Sequence, residues 1–179
     1  VHRLDTETSG LVLVAKTQTA FDRLRQQFRR RQVAKIYWAL VWGTTNAAGV
    51  IDLPLAHDPR DKSRMRAVSE SLRMKKIKTW KALTRYRKVG QSAESTLLEI
   101  TMETGVTHQI RVHLAAIGHP IVADALYGDD RMDKFDLQRH FLHACRLEFR
   151  NPEDGRVVKL ETKLPGDLTE ILRRLKMEL

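Results

Sequence analysis

Hydrophobic and polar positions follow two rhythms along this chain. Gly10-Leu-Val-Leu-Val-Ala-Lys16 is short, apolar and β-branched, the pattern of a buried strand. A helical period follows: Phe21, Leu24 and Phe28 share one face behind a cap at Thr17 or Thr19, with Arg23, Arg25, Gln26, Arg29 and Arg30 on the others. Val33–Trp42 predicts a strand ended by Gly43, and Val50–Leu53 a short one after the turn-rich Asn46–Gly49. His57–Arg66 is polar and basic and reads as a loop. Lys81–Val89 and Ser95–Glu103 predict strands joined by a turn at Gly90–Ala93. Val106–Ile117 predicts a helix with Ile110, Leu114 and Ile117 on one face, stopped by Gly118 and Pro120. Phe141–Phe149 and Arg156–Thr162 predict a hairpin, and Leu168–Met177 a closing amphipathic helix. Strands outnumber helices and short turns join most of them. The expected fold is therefore α+β, a largely antiparallel mixed sheet flanked by helices.

Composition narrows the class. The chain has 179 residues, 42% of them hydrophobic, enough for one well-packed domain. No apolar run approaches the roughly 18–20 residues of a membrane span. Cys145 stands alone, which excludes an internal disulfide framework and fits a reducing, cytoplasmic setting. Its apolar neighbours Phe141, Leu142 and Leu147 predict a buried thiol. Lys and Arg number 32 against 22 Asp and Glu, a net charge of +10, which predicts an anionic partner and nucleic acid first. The basic residues recur in clusters (Arg23–Arg31, Arg60–Arg66, Arg73–Lys81, Arg85–Lys88), a distribution suited to a phosphate backbone rather than to a polybasic membrane anchor. His108 and His113 are five apart, not the i, i+4 of a helical zinc pair, and there is no Cys pair; no metal is expected.

Asp5 lies in the polar loop His2-Arg3-Leu4-Asp5-Thr6-Glu7-Thr8-Ser9-Gly10, just before the first predicted strand, a good platform for a catalytic carboxylate. Alone, such a loop is most often only a satisfied turn. The wider pattern changes that reading. The loop resembles the HRLDxxTSG signature of the RluA family of pseudouridine synthases, and His2 favours this branch over RsuA-type enzymes, which carry Gly there. Lys35-Ile-Tyr37-Trp-Ala39 is similar to the family's KxYxA motif. Thr104-Gly-Val-Thr-His-Gln-Ile-Arg111-Val-His113 resembles TGRTHQIRVH. Gly118-His-Pro-Ile-Val-Ala-Asp-Ala-Leu-Tyr-Gly128 resembles GHPIxGDxxYG, and Leu142-His-Ala144 follows as LHA. These stretches run in register from Val1 to about Asn151. Two positions depart from the pattern: Val106 stands where the family usually has Arg or Lys, and Ala123 where it usually has Gly. The family also carries strands upstream of the Asp loop, so the chain is expected to be an N-terminally incomplete catalytic domain over residues 1–179.

The resemblance implies a pseudouridine synthase-like catalytic domain, monomeric and without cofactor, that isomerises uridines in ribosomal or transfer RNA. The reaction breaks the N1–C1′ bond, turns the base and rejoins it through C5, with no redox step. It implies Asp5 as the carboxylate acting at the sugar, as nucleophile at C1′ or base at C2′. A buried carboxylate tends to keep its proton unless a cation faces it, and the family's partner for that ion pair is Arg111. Tyr37 is expected to stack on the uracil of a flipped nucleotide and to assist loss of the C5 proton. Arg3 is a candidate to fill the gap left by that base, and Lys16, Lys35, Arg64 and Arg66 are weaker candidates for phosphate contacts. His108 is expected among the RNA-facing residues and at the helix start. Val106 and His57–Lys81 are the places expected to govern selectivity. Two other classes stand against this one: an inactive RNA-binding module, which would be free to lose Asp5, Tyr37 or Arg111, and a glycosidase pairing Asp5 with Glu7. The +10 charge has no purpose on a small neutral sugar.

Overall fold

A computed structural model describes residues 1–69, 77–128 and 135–179; of the basic cluster Arg73–Lys81, positions 73–76 lie outside the described residues. The chain runs β1 (Ser9–Gly10), α1 (Gln18–Arg29), β2 (Ala34–Trp42), β3 (Ala48–Asp52), β4 (Leu55–His57), β5 (Met65–Ala67), β6 (Leu83–Gln91), β7 (Ser95–Met102), α2 (Gln109–Ala116), β8 (Leu142–Arg150), β9 (Val157–Glu161) and α3 (Gly166–Arg174).

One mixed sheet dominates, in the order β1-β8-β2-β7-β6-β3, with β9 also on β8 and a separate β4–β5 pair. Among the described residues only β1 against β8 is parallel; the other pairings are antiparallel, both where short connections join the strands (β4–β5, β6–β7, β8–β9) and where they lie far apart in sequence (β2–β7, β2–β8, β3–β6). The aromatic and β-branched β2 lies at the centre. It pairs with β7 from Lys35↔Met102 to Trp42↔Ser95, and on its other edge with β8, with a bulge between Ile36 and Tyr37. Lys35 and Tyr37, two apart, turn to the same side of the sheet. The main core joins Leu40, Trp42, Leu97 and Leu98 of the sheet to Ile110 and Leu114 of α2 and Leu168, Ile171 and Leu172 of α3. A separate cluster seats α1 through Leu24 on Leu147 and Phe149 of β8. Thr17 caps α1, its hydroxyl accepting from the Ala20 amide at 3.2 Å.

Four expectations are corrected. Gly10–Lys16 is not a buried strand: only Ser9–Gly10 pairs, and beyond Leu11 alternate residues are exposed, Val14 at 75%. The reason lies in β8, whose one edge is taken by β2 and whose other edge passes to β9 from Arg146 onward, leaving Leu11–Lys16 no strand to join. His57–Arg66 is not all loop, since its ends enter the pairing His57↔Met65 of β4 and β5. The helix expected over Val106–Ile117 begins only at Gln109, because His108 sits in the left-handed region at φ 55. The closing helix is Gly166–Arg174, starting earlier and ending sooner than Leu168–Met177. Among the described residues no helix is long and apolar enough to cross a membrane.

Candidate active site

The His2–Gly10 segment is anchored on both sides of Asp5, at His2 and Leu4 before it and at Thr8, Ser9 and Gly10 after it. The His2 imidazole accepts the Leu13 amide at 2.9 Å and stacks on Phe28, with centroids 4.9 Å apart. Burial, helped by the nearby Lys35 charge, lowers its pKa to about 4, which keeps it neutral and able to accept. Leu4 packs against the main core. The Thr8 amide donates to the Asp5 carbonyl at 3.0 Å, closing a turn. The Thr8 hydroxyl meets His140 Nε2 at 2.7 Å, and the Ser9 hydroxyl meets His143 Nδ1 at 2.8 Å. Arg139 donates to Ser9 Oγ (2.9 Å) and the Glu7 carbonyl (3.3 Å) while forming a two-pronged pair with Asp167 at the start of α3. Gly10, at φ +119, lies directly on the Ala144 backbone, where any Cβ would collide. The Asp5 side chain takes part in none of these anchoring contacts and lines the cleft.

Arg111 faces Asp5, as expected, but does not belong to it alone. Its Nη1 lies 3.6 Å from Asp5 Oδ2. Its strong partner is Asp124, which accepts from Nε and Nη2 at 2.7 Å each. Asp124 is fully buried and also accepts the Leu126 and Tyr127 amides at 3.0 Å. Burial alone would raise its pKa; the Arg111 hydrogen bonds and charge, with those amides, outweigh this and hold it below the usual carboxylate range. The expected Arg111–Asp5 pair is thus the looser of two. Asp124 lies inside the quoted Gly118–Gly128 stretch, yet nothing in its sequence spacing to Arg111 predicts a buried pair.

Asp5, Tyr37 and Arg111 line one cleft of about 510 Å³, within the roughly 300–1,000 Å³ usual for small-molecule sites. Tyr37 is 5% exposed, and burial followed by the neighbouring Asp5 charge pushes its hydroxyl pKa up, so it rests as the neutral phenol. Lys35 lines the same cleft, donating from Nζ to the Thr104 carbonyl at 3.0 Å, with the Phe28 ring 5.9 Å away. Burial lowers its pKa to about 8. Arg3 is exposed on the cleft wall, and His108 lies there too, its Nδ1 2.8 Å from the Tyr127 hydroxyl. That hydroxyl also accepts the Met65 amide at 2.8 Å, so His108 orients the start of α2 by way of Tyr127.

Arg64 and Arg66 are not brought to the cleft wall. Arg64 stands over the Tyr127 ring, 5.2 Å from its centroid and with Arg111 5.1 Å from the same ring; Arg66 turns Nε into the interior without a hydrogen-bond partner. Lys16 is exposed and away from the cleft lining. Cys145 is buried as expected, and burial raises its thiol pKa to about 11. His113 is a structural residue, bridging Thr84 Oγ1 and the Leu53 carbonyl at 2.8 Å each. Sequence reasoning missed Asp124, Tyr127, Arg139, His140 and Asp167. Among the described residues no group of three His, Cys, Asp or Glu side chains could hold a metal ion.

Comparison with known proteins bears on this site. Residues 1–116 match the model of a family described as RNA pseudouridylate synthase. An uncharacterized RNA pseudouridine synthase of Chloroflexus aurantiacus is 43% identical over 98% of this chain and 53% of its own length. The ribosomal large subunit pseudouridine synthase D of Nitrosomonas europaea is 39% identical over 98% of this chain and 51% of its own length. The chain thus spans about half the length of the curated relatives it matches. The solved structure of human RNA pseudouridylate synthase domain containing 4 superposes with a TM-score of 0.80 at 27% identity, covering 99% of this chain and 76% of that one.

Proposed function

Because the chain belongs to the RNA pseudouridylate synthase family, in the RluA branch, we propose that it isomerises uridine in structured RNA to pseudouridine with Asp5 as the catalytic carboxylate. The observation that carries the reading is the convergence of Asp5, Tyr37 and Arg111 on one cleft at the end of a loop anchored on both sides of Asp5. Asp5 acts at the ribose of a uridine flipped out of its stack, as nucleophile at C1′ or as base at C2′. The freed uracil turns, C5 bonds to C1′, and the C5 proton leaves while N1 gains one, so atoms balance without a cofactor or a metal. Arg111 places a positive charge 3.6 Å from the carboxylate, on the side away from its own buried partner Asp124. Tyr37 offers its ring for stacking and its neutral hydroxyl for hydrogen bonding; taking the C5 proton requires it to give up its own. Arg3, Lys35 and His108 hold the RNA around the target nucleotide, and Arg64 and Arg66 act on it only indirectly, by way of Tyr127 and the β4–β5 pair.

The substrate we favour is ribosomal RNA, because relatives from Nitrosomonas europaea and Vibrio cholerae are named ribosomal large subunit pseudouridine synthases; a single copy working in the cytoplasm suffices for it. The test is a pseudouridine map of total RNA from cells with and without this gene, complemented by the wild type or Asp5→Asn. We expect a ribosomal site to vanish without the gene and return only with Asp5. A transfer RNA site would change the substrate, and an unchanged map would leave an RNA-binding module in place of an enzyme.

A further inference from the structure

Three tryptophans occur in the chain, and their settings differ. Trp42 is buried in the main core, and Trp38 lies half-buried on β2 between Glu99 and His143 of the neighbouring strands. Trp80 lines the cleft that holds Asp5, Tyr37 and Arg111, and is itself half-buried. Its backbone is fixed: its amide and carbonyl exchange hydrogen bonds with Leu55 at 2.8 and 2.9 Å. Its ring packs with Val106 against the cluster of Leu55, Met65 and Val112, and His57 meets it edge-on at 5.2 Å. Over the ring stands the ammonium of Lys78, 5.3 Å from the centroid and carried on an exposed side chain that can yield. Lys81, also exposed, is on the same cleft wall.

We propose that Trp80 is a stacking platform for the unpaired nucleobase next to the uridine that enters the cleft. This rests on the reading that the cleft takes a uridine of RNA. A half-buried aromatic ring on the wall of a cleft with lysines beside it matches how single-stranded RNA is held: bases stack on rings while lysines track the phosphates. Lys78 leaves the ring for the phosphate of the stacked nucleotide, and Lys81 takes the adjoining one. Val106 sets an apolar side chain beside the ring, so that position contributes packing rather than a charge, and the charges come from Lys78 and Lys81.

The test compares binding of a nine-residue oligouridylate with binding of a ribose-phosphate oligomer of equal length lacking bases, read by fluorescence anisotropy. Trp80→Ala should weaken oligouridylate binding about tenfold and leave the abasic oligomer unchanged, whereas Trp80→Phe should stay within about twofold of the wild type. Oligouridylate should also quench the wild-type tryptophan emission, and the quenching should vanish in Trp80→Phe, an arm that survives if Trp80→Ala does not fold. Equal preference for bases in Trp80→Ala and the wild type, or quenching that persists in Trp80→Phe, would overturn the proposal. Neither arm needs turnover, so a failure of the isomerase reading would appear in the pseudouridine map and not here.

Discussion

Replacing Asp124 by Asn isolates the charge that aims Arg111. The amide carbonyl at Oδ1 can keep the bonds from Arg111 Nη2 and from the Leu126 and Tyr127 amides. At Oδ2 the new NH2 meets the Arg111 Nε–H, donor against donor, where a 2.7 Å hydrogen bond stood. Arg111 is 6% exposed and Asp124 fully buried, so the guanidinium is left largely uncompensated in the interior. Breaking such a pair from one side costs about 3–5 kcal/mol, which for a chain of this size lowers Tm by roughly 10 °C without abolishing folding. The remaining counter-charge is Asp5, and Arg111 should swing toward it. A displacement of about 1 Å in a reacting group costs on the order of a hundredfold in rate, so kcat should fall about that far. RNA affinity should hold, because a fully buried carboxylate touches no RNA. Thermal melts give the stability, and single-turnover release of tritium from RNA labelled at uridine C5 gives the chemistry. Wild-type Tm and wild-type turnover in Asp124→Asn would refute the reasoning.

Three more expectations are sharp enough to measure. His140 is 1% exposed, and burial, with Arg111 adding to it, lowers its pKa from 6.5 to about 4. The unfolded chain then binds the proton first as pH falls, so stability is full above about 6.5 and declines toward pH 4, by about 3 kcal/mol in all at about 1.4 kcal/mol per pH unit; His140→Gln should flatten that slope in denaturation curves. Ala123 sits at φ 58, where a side chain costs about 1–2 kcal/mol, more than the 0.5–1 kcal/mol that glycine loses in entropy. Ala123 is also buried in the main core, so glycine gives up a methyl worth about 0.8 kcal/mol; the terms nearly cancel, Ala123→Gly should leave Tm within about 2 °C of the wild type in a thermal melt, and a fall of about 5 °C or more would contradict it. Gly10→Ala drives a methyl into the Ala144 backbone, so β1 should leave β8 and carry Asp5 out of place: single-turnover activity should drop at least about a hundredfold while the circular dichroism of the remaining sheet persists.

Local pattern predicted most of the sheet, because β2, β6, β7 and β8 are long strands whose own residues carry the pattern, and short turns join β6 to β7 and β8 to β9, although β2 pairs with strands distant in sequence. It failed where a partner decides. Leu11–Lys16 has strand-forming residues and no free strand edge, and β4 and β5 have three residues each, too few for a period to register. The start of α2 was misjudged for a related reason: Val106 and Thr107 lie in a turn set by the Gln109 side chain, which takes hydrogen bonds from the Val106 amide and the Thr104 hydroxyl. The site divides in the same way. Asp5, Tyr37 and Arg111 were legible as motif residues, whereas Asp124 was not, since a contact between a helix and a later turn leaves no spacing to read. Ala123 is the instructive middle case. Its departure from the family's glycine was visible, but its meaning required the left-handed φ.

The sharing of Arg111 also lets one cation face the Asp5 carboxylate without occupying it. In the proposed mechanism, a guanidinium that gave both prongs to Asp5 would occupy the lone pairs needed at the sugar. Here Nε and Nη2 are committed to Asp124, and only Nη1 is turned to Asp5, at 3.6 Å rather than 2.7 Å. At that distance the charge still acts on the carboxylate, while the short, directional hydrogen bonds are spent on a residue that does no chemistry. The aim of Arg111 is then set from behind by Asp124, and the aim of Asp5 from its own loop by His2, Thr8 and Gly10. The two halves of the pair are positioned by separate parts of the fold. Substitutions at Asp124 and at Thr8 should accordingly lower kcat by independent factors that multiply, where two residues acting through one shared contact would not.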